Sequence, residues 1–372
     1  MKKLIFIVMC CMSMFVLVQA QQAMSDKNFK STEVLPNNKV AFRIYAPEAN
    51  NVKLVADGIW DKVEFKKDKD GVWEGIYSNV QKGAYHYHFV VDGVNVYDPM
   101  ASSSQETKAL LLVGNGHDFF GMRKDIPHGA MSQRYYFSNT LNKTRRVHIW
   151  TPAGFEKSKE KLPVLYLIHG GGGTDMAWST IGCAGNIFDN LLAEGKIEPM
   201  IVVMPNGTIE TEHILDRVPL FKKDFMNDLV PFIEENYPTY ADAKHRAIMG
   251  LSMGGLETLE VVTNHPDEFS YIGVLSSGWW LSDSWKAKRG TVDDKQARLD
   301  QLKKVSKVFK QSVELLYFTQ GGKEDLAYDN GMETLDLFKE AGITYKYSER
   351  PGGHSWLVWR KDLRDISQLL FK

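Results

Sequence analysis

The sequence predicts an α/β domain on a mainly parallel sheet, preceded by a smaller all-β, immunoglobulin-like sandwich. Three observations carry that expectation. Between Glu33 and Asp98 the chain runs in short strand-like segments, with turn residues between them and no helical stretch. From Arg134 onward, continuous apolar runs alternate with segments of helical spacing, as expected when strands are covered on both faces. Within that second half, Gly250-Leu251-Ser252-Met253-Gly254 stands between an apolar run and a helical segment, so a G-x-S-x-G string falls at a strand–turn–helix junction.

The N-terminus is the first element. Lys2 and Lys3 precede an apolar run from Leu4 to Val18, and Val18-Gln19-Ala20 offers a small-residue cleavage site. Residues 1–20 therefore predict a secretory signal peptide cut near Ala20, too short and wrongly flanked for a stable membrane span. The mature chain is expected to be exported, to the periplasm or beyond. Cys10 and Cys11 lie inside the run, whereas a lipid-attachment cysteine would end it. Cleavage leaves Cys183 alone, which excludes an intramolecular disulfide and suits a small buried residue. Of 372 residues, 44% are hydrophobic and 24% charged, with a net charge of −1. Such a chain is long enough for two domains and has no basic tract for nucleic acid or anionic membrane.

The sandwich is expected over residues 25–104. Its clearest strands are Val40–Tyr45, Asn51–Val55, Gly71–Tyr77 and Tyr85–Val91, separated by Pro36-Asn37-Asn38, Asp70-Gly71, Lys82-Gly83 and Asp92-Gly93. Serines 102–104, scattered glycines and Pro127 place a linker over 105–130, and the α/β domain over 131–372. There, strands are expected at Lys161–Ile168, Met200–Met204, Arg246–Met249, Tyr271–Leu275, Leu315–Thr319 and Tyr345–Glu349. Helices are expected at Asp224–Asn236, Gly255–Val262 and Leu363–Leu370.

This arrangement points to nucleophilic catalysis. A serine hydroxyl is a poor nucleophile until a base and an oxyanion site surround it. In this architecture the order is Ser, acid, His, each on a loop after a later strand. His354, in the glycine-rich Arg350–Trp356 loop, is the base candidate; Asp325, after the strand ending at Thr319, is the acid, with Glu324 as its rival. The oxyanion donors are expected from the backbone N–H of Met253 and from His169-Gly170-Gly171-Gly172-Gly173, with Gly171 first and Gly172 next. That glycine run has neither GxGxxG nor GK[ST] spacing, which argues against a nucleotide. His169 is expected to brace the loop. His86 and His88 decorate a sandwich strand, and His148, His213, His245 and His265 lack ligand spacing, so no metal or other cofactor is implied.

With these residues in view, the chain resembles carbohydrate esterase family 1, the feruloyl and acetylxylan esterases of α/β-hydrolase fold. The matching stretches are His169–Gly173 followed by Trp178, MIVVMPNG at Met200–Gly207, GLSMGG at Gly250–Gly255, the Gly322–Asp325 turn, and PGGHSWLVW at Pro351–Trp359. The N-terminal half is similar to carbohydrate-binding module family 48, through Phe42–Pro47, Gly71-Val72-Trp73, Gly83–Tyr87 and Val91–Gly93. The resemblance implies an acyl-enzyme esterase acting on feruloylated or acetylated xylan or xylo-oligosaccharides. Mycolyl transferases resemble the family too, but export, aromatics and the sandwich weigh against an acyltransferase.

Tryptophans are the candidates for substrate contact. Trp279, Trp280 and Trp285 cluster in a loop expected to overhang Ser252, and Trp178 follows the glycine loop; they would clamp a phenolic ring or a sugar, or else cap the core. In the sandwich, Trp60, Trp73, Tyr85 and Tyr87 either stack on sugars or fill the core. The rivals to a feruloyl esterase are an acetylxylan esterase with the same triad and a non-catalytic glycan-binding protein. Oligomeric state leaves no mark in the sequence.

Overall fold

The computed structural model describes residues 29–59, 62–98, 100–101, 104–105, 108–115, 117–211, 216–281 and 294–372. The expected signal peptide, Trp60, His213 and Trp285 lie outside them. Two compact units divide the chain after Val113.

The first unit is the expected sandwich. Its strands are β1 (Thr32–Leu35), β2 (Lys39–Tyr45), β3 (Val52–Ala56), β4 (Phe65–Lys67), β5 (Val72–Tyr77), β6 (Gly83–Val91), β7 (Val94–Val96), β8 (Ser104–Gln105) and β9 (Lys108–Val113). One antiparallel sheet has the order β1-β2-β5-β4 and the other β3-β6-β9-β8, with β7 on β6. Period-two alternation sends Phe42, Ile44, Trp73, Tyr85, Tyr87 and Phe89 into a common core. Trp73, Tyr85 and Tyr87 are thus core residues, and each finds an internal partner for its polar end. Trp73 Nε1–H donates to Ala46 O (2.9 Å), Tyr85 O–H to Gln81 O (2.7 Å), and Tyr87 O–H to Asp98. A small sandwich has few other large side chains to exclude water, so its aromatics go inside. A groove of about 720 Å³ on this unit is lined mainly by charged groups, including Arg43, Lys66, Lys67, Asp68, Asp70 and Glu74.

β9 falls inside the stretch read as linker, and its pairing with β6, Gly83↔Val113 through Tyr87↔Ala109, extends the sandwich to Val113. Its apolar run Ala109–Val113 needed that partner to become a strand.

The second unit is an eight-stranded sheet flanked by helices. Its strands are β10 (Ala130–Ser138), β11 (Lys143–Thr151), β12 (Val164–Ile168), β13 (Ile201–Pro205), β14 (Arg246–Leu251), β15 (Tyr271–Leu275), β16 (Leu315–Gln320) and β17 (Lys346–Glu349), in the order β10-β11-β13-β12-β14-β15-β16-β17. The β10–β11 hairpin and β11–β13 pair antiparallel; the rest pair parallel. The central strands β12–β15 are buried at every residue, which is why they read as unbroken apolar runs.

The helices are α1 (Ala184–Ala193), α2 (Arg217–Asp224), α3 (Val230–Asn236), α4 (Met253–Asn264), α5 (Lys295–Ser312), α6 (Tyr328–Glu340) and α7 (Trp356–Ser367). A π turn, Phe225–Leu229, joins α2 to α3. Pro231 follows it and has no N–H to donate, so the i→i−4 ladder widens just there. The rest of the expected linker is strapped to this unit. Asn190 Nδ2 donates to Phe119 O and Gly121 O, Asn186 Nδ2 to Phe120 O, and the guanidinium groups of Arg364 and Arg360 lie over Phe119 and Phe120.

Candidate active site

The strand–turn–helix junction expected around Ser252 is formed. β14 ends at Leu251, α4 begins at Met253, and Ser252 between them has φ 51° and ψ −116°. A non-glycine residue there stores strain on the order of 1–3 kcal/mol, which the surroundings must hold. Ser252 N–H donates to Leu275 O (2.8 Å), while Ser252 O accepts from Gly255 N–H (3.0 Å) and from Ser277 Oγ–H (2.5 Å). The flanking glycines are sterically required: a Cβ on Gly250 would overlap Gly254 O, and one on Gly254 would lie 2.5 Å from His169 O.

Two loops from the far half of the unit meet this serine. The loop after β16 carries Asp325, buried with both oxygens engaged. Oδ2 accepts from Gly321 N–H (3.0 Å), and Oδ1 accepts from Ala327 N–H (2.9 Å) and from His354 Nδ1–H (2.8 Å). Burial alone would raise its pKa, but the hydrogen bonds from His354 and the loop more than offset this and hold it below the ordinary aspartate value. The loop after β17 carries His354, tied to the first by Gly353 N–H to Gly321 O (2.8 Å). An ionised Asp325 only accepts, so the His354 proton sits on Nδ1 and Nε2 faces Ser252 Oγ at 2.9 Å. The rival Glu324 is exposed and accepts from Gly352 N–H (3.1 Å), on the outside of the loop.

The glycine loop after β12 is braced by His169, as expected. Its buried ring donates from Nδ1 to Gly170 O (2.7 Å) and accepts at Nε2 from Gly207 N–H (2.9 Å). Burial lowers its pKa, keeping it neutral. The peptides of the described residues are trans, so a Gly170 carbonyl held toward His169 aims the Gly171 N–H the opposite way. A Cβ on Gly171 would lie 4.0 Å from Met253 Cβ, whereas one on Gly172 would meet nothing within 4 Å. Gly171, not Gly172, therefore adjoins the elbow. Met253 opens α4, so its N–H is one of the first-turn donors without a helical partner. A serine nucleophile, an imidazole poised to take its proton, and two N–H groups at the elbow and the glycine loop can together carry acyl transfer.

The tryptophans correct the sequence reading. Trp178 is fully buried, donates to Ile168 O (3.1 Å) and packs edge-on to Trp356. Trp279 is equally buried and stacks on Phe338, with the Arg298 guanidinium 5.2 Å from its ring. Neither offers a face to a ligand; large rings beside a sheet edge gain more by filling the core. Trp280 is half-buried, and Trp285 lies outside the described residues. Three groups went unread in the sequence. Trp359 meets the His354 ring edge-on at 4.9 Å. Arg350 anchors the root of the His354 loop to Asp362 (2.7 Å) and Asp365 (2.9 Å). Glu257 lies buried beneath the elbow, signalled only by a charge one turn before Val261 on an apolar helix face.

Known proteins resemble this chain. A curated relative named endo-1,4-beta-xylanase/feruloyl esterase, from Xylanibacter ruminicola, is 32% identical over 89% of this chain and 44% of its own length. Endo-1,4-beta-xylanase Y from Acetivibrio thermocellus is 28% identical over 54% of this chain and 18% of its own length. The chain thus spans less than half of either relative. A solved ferulic acid esterase is 27% identical, with a TM-score of 0.56 over 66% of this chain and 98% of that one. The enterobactin esterase of Shigella flexneri shares the fold at 17% identity, with a TM-score of 0.63 over 92% of this chain and 96% of that one. Carbohydrate-binding module 48 (isoamylase N-terminal domain) matches residues 29–101. The family described as "Putative esterase" matches residues 138–370, the whole span from the hairpin to α7 that holds Ser252, Asp325 and His354, and the chain belongs to that esterase family.

Proposed function

We propose that this chain is an exported serine esterase that releases ferulate and related hydroxycinnamates from xylan through an acyl-enzyme. The observation that carries the reading is the hydrogen-bonded series Ser252 Oγ to His354 Nε2 (2.9 Å) and His354 Nδ1 to Asp325 (2.8 Å). Ser252 Oγ attacks the ester carbonyl carbon as its proton passes to His354 Nε2. Asp325 stabilises the imidazolium, and the N–H groups of Met253 and Gly171 receive the oxyanion. Collapse breaks the ester C–O bond, and His354 returns the proton to the departing sugar hydroxyl. Water, deprotonated by His354, then attacks the acyl-Ser252 carbonyl; the acyl C–Oγ bond breaks, His354 returns the proton to Ser252 Oγ, and the acid is freed.

The feruloyl preference is supported by the relative named xylanase/feruloyl esterase and by the solved ferulic acid esterase. One observation favours an acetyl ester instead: Trp178 and Trp279, two of the rings offered for a phenolic clamp, are core residues. Export is supported by the Lys2–Ala20 segment, with its basic start, apolar run and small-residue end.

The test compares turnover of methyl ferulate with that of acetylated xylan, using Ser252→Ala as control. Ferulate release at the higher kcat/KM is expected, and Ser252→Ala should lose roughly 10⁴–10⁶ in kcat. Faster release of acetate reassigns the substrate. A Ser252→Ala variant with near-native turnover removes the mechanism.

A further inference from the structure

Glu257 sits in the second turn of α4, five residues past Ser252, and is fully buried. Neither carboxyl oxygen has a hydrogen-bond partner among the described residues. An ionised carboxylate here would be stripped of water with no donor in return, so the group stays protonated. The charges that face it confirm the shortage. Arg145 on β11 donates to Asn206 O and pairs with Asp224, and Arg217 at the head of α2 donates from Nε to Ile209 O (3.3 Å). Both attract the carboxyl without bonding it, and burial still leaves its pKa well above the ordinary glutamate value. His169, across Gly207, is neutral.

What Glu257 touches gives it a role. A Cβ on Gly207 would overlap Glu257 Oε2 and lie 3.2 Å from its Cδ, so the carboxyl fills the space of a side chain at position 207. Gly207 N–H donates to His169 Nε2, and His169 Nδ1–H holds Gly170 O. That carbonyl shares a peptide plane with the Gly171 N–H. The path from Glu257 to the oxyanion donor is therefore one van der Waals contact, two hydrogen bonds and one rigid peptide.

We propose that Glu257 is a positioning residue: an un-ionised carboxyl that seats Gly207 and, through His169, aims the Gly171 N–H at the developing oxyanion. The inference rests on reading this site as a serine esterase. It separates Glu257 from a merely apolar filler, because an acid kept neutral by its surroundings has a pH at which it fails. Ionisation would set a charge against the Gly207 turn and loosen the oxyanion loop, leaving Ser252, His354 and Asp325 in place.

The experiment follows kcat and KM for methyl ferulate against pH in wild type, Glu257→Gln and Glu257→Ala. Wild type should show a reversible alkaline fall in kcat that Glu257→Gln, neutral at every pH, lacks. Near neutral pH, Glu257→Gln should stay within about threefold of wild type. Glu257→Ala should lose about 10–100-fold in kcat with little change in KM, less than the 10²–10³ of deleting a donor outright. A Glu257→Gln variant as impaired as Glu257→Ala across the range, or a Glu257→Ala variant equal to wild type, overturns the proposal.

Thermal unfolding against pH supplies a readout independent of turnover. A carboxyl whose folded pKa is raised is harmless below its unfolded pKa, and its folded state loses stability as pH rises from there toward the folded pKa. The Tm advantage of Glu257→Gln over wild type should therefore widen by about 3 °C per pH unit above the ordinary glutamate pKa. A gap that does not change with pH overturns the un-ionised assignment. Should wild type cleave no ester at all, the esterase reading fails, while the unfolding comparison still decides the state of Glu257.

Discussion

Asp325 and Glu257 are both buried carboxyls within the same catalytic unit, yet their surroundings push them in opposite directions. Asp325 sits at the end of β16, where the chain turns and leaves two N–H groups and an imidazole to meet it. Glu257 sits in the second turn of α4, past the unpaired first-turn N–H groups, and neither of its oxygens meets a donor among the described residues. Burial disfavours the charged form of both; only Asp325 has enough donors to reverse it. The difference teaches that a loop can stabilise a charge by supplying backbone donors, whereas the interior of a helix cannot.

Substitution that removes charge without changing shape breaks this contrast most sharply. Asp325→Asn should lower kcat by about 10⁴-fold, since an amide permits the wrong imidazole tautomer and cannot stabilise the imidazolium. Steady-state turnover of methyl ferulate checks it, and a loss no larger than that of Glu257→Gln would erase the distinction. Acid unfolding sharpens it at the level of stability. The folded pKa of Asp325 is lowered, so its contribution is present above the unfolded pKa and lost as pH falls through the folded one. Wild type and Asp325→Asn should converge in Tm at low pH and separate in favour of wild type as pH rises, whereas at Glu257 the separation favours the glutamine variant. The smallest effect belongs to the third carboxylate. Glu324 is exposed, and a glutamine still accepts from Gly352 N–H, so Glu324→Gln should keep kcat/KM within about twofold.

Much of this site was legible because glycine marks the places where backbone must bend or approach closely. The elbow, the glycine loop and the His354 loop are all written that way, and each follows a run that became a strand, apolar and fully buried for the first two and polar for the third. Other parts depended on contacts distant in the chain. α7 begins at Trp356, seven residues before the expected Leu363, because Trp356 and Trp359 pack against Trp178 and His354, not because of helix propensity. The β10–β11 hairpin was not anticipated, since β10 exposes most of its residues and has no unbroken apolar run. The tryptophans misled for the converse reason: an aromatic in a loop looks available for ligand until its neighbours are known.

Local sequence determined the two-unit organisation, the positions of the three loops and the chemical identity of serine, acid and histidine, because turn geometry and strand periodicity are properties of a few adjacent residues. Tertiary structure alone set Asp325, and not Glu324, against His354, though both leave the same strand one residue apart. It also set Gly171, not Gly172, beside the elbow and withdrew Trp178 and Trp279 into the core. Each of those outcomes depends on which direction a group faces and what already occupies that direction, and only the packed chain supplies the occupants.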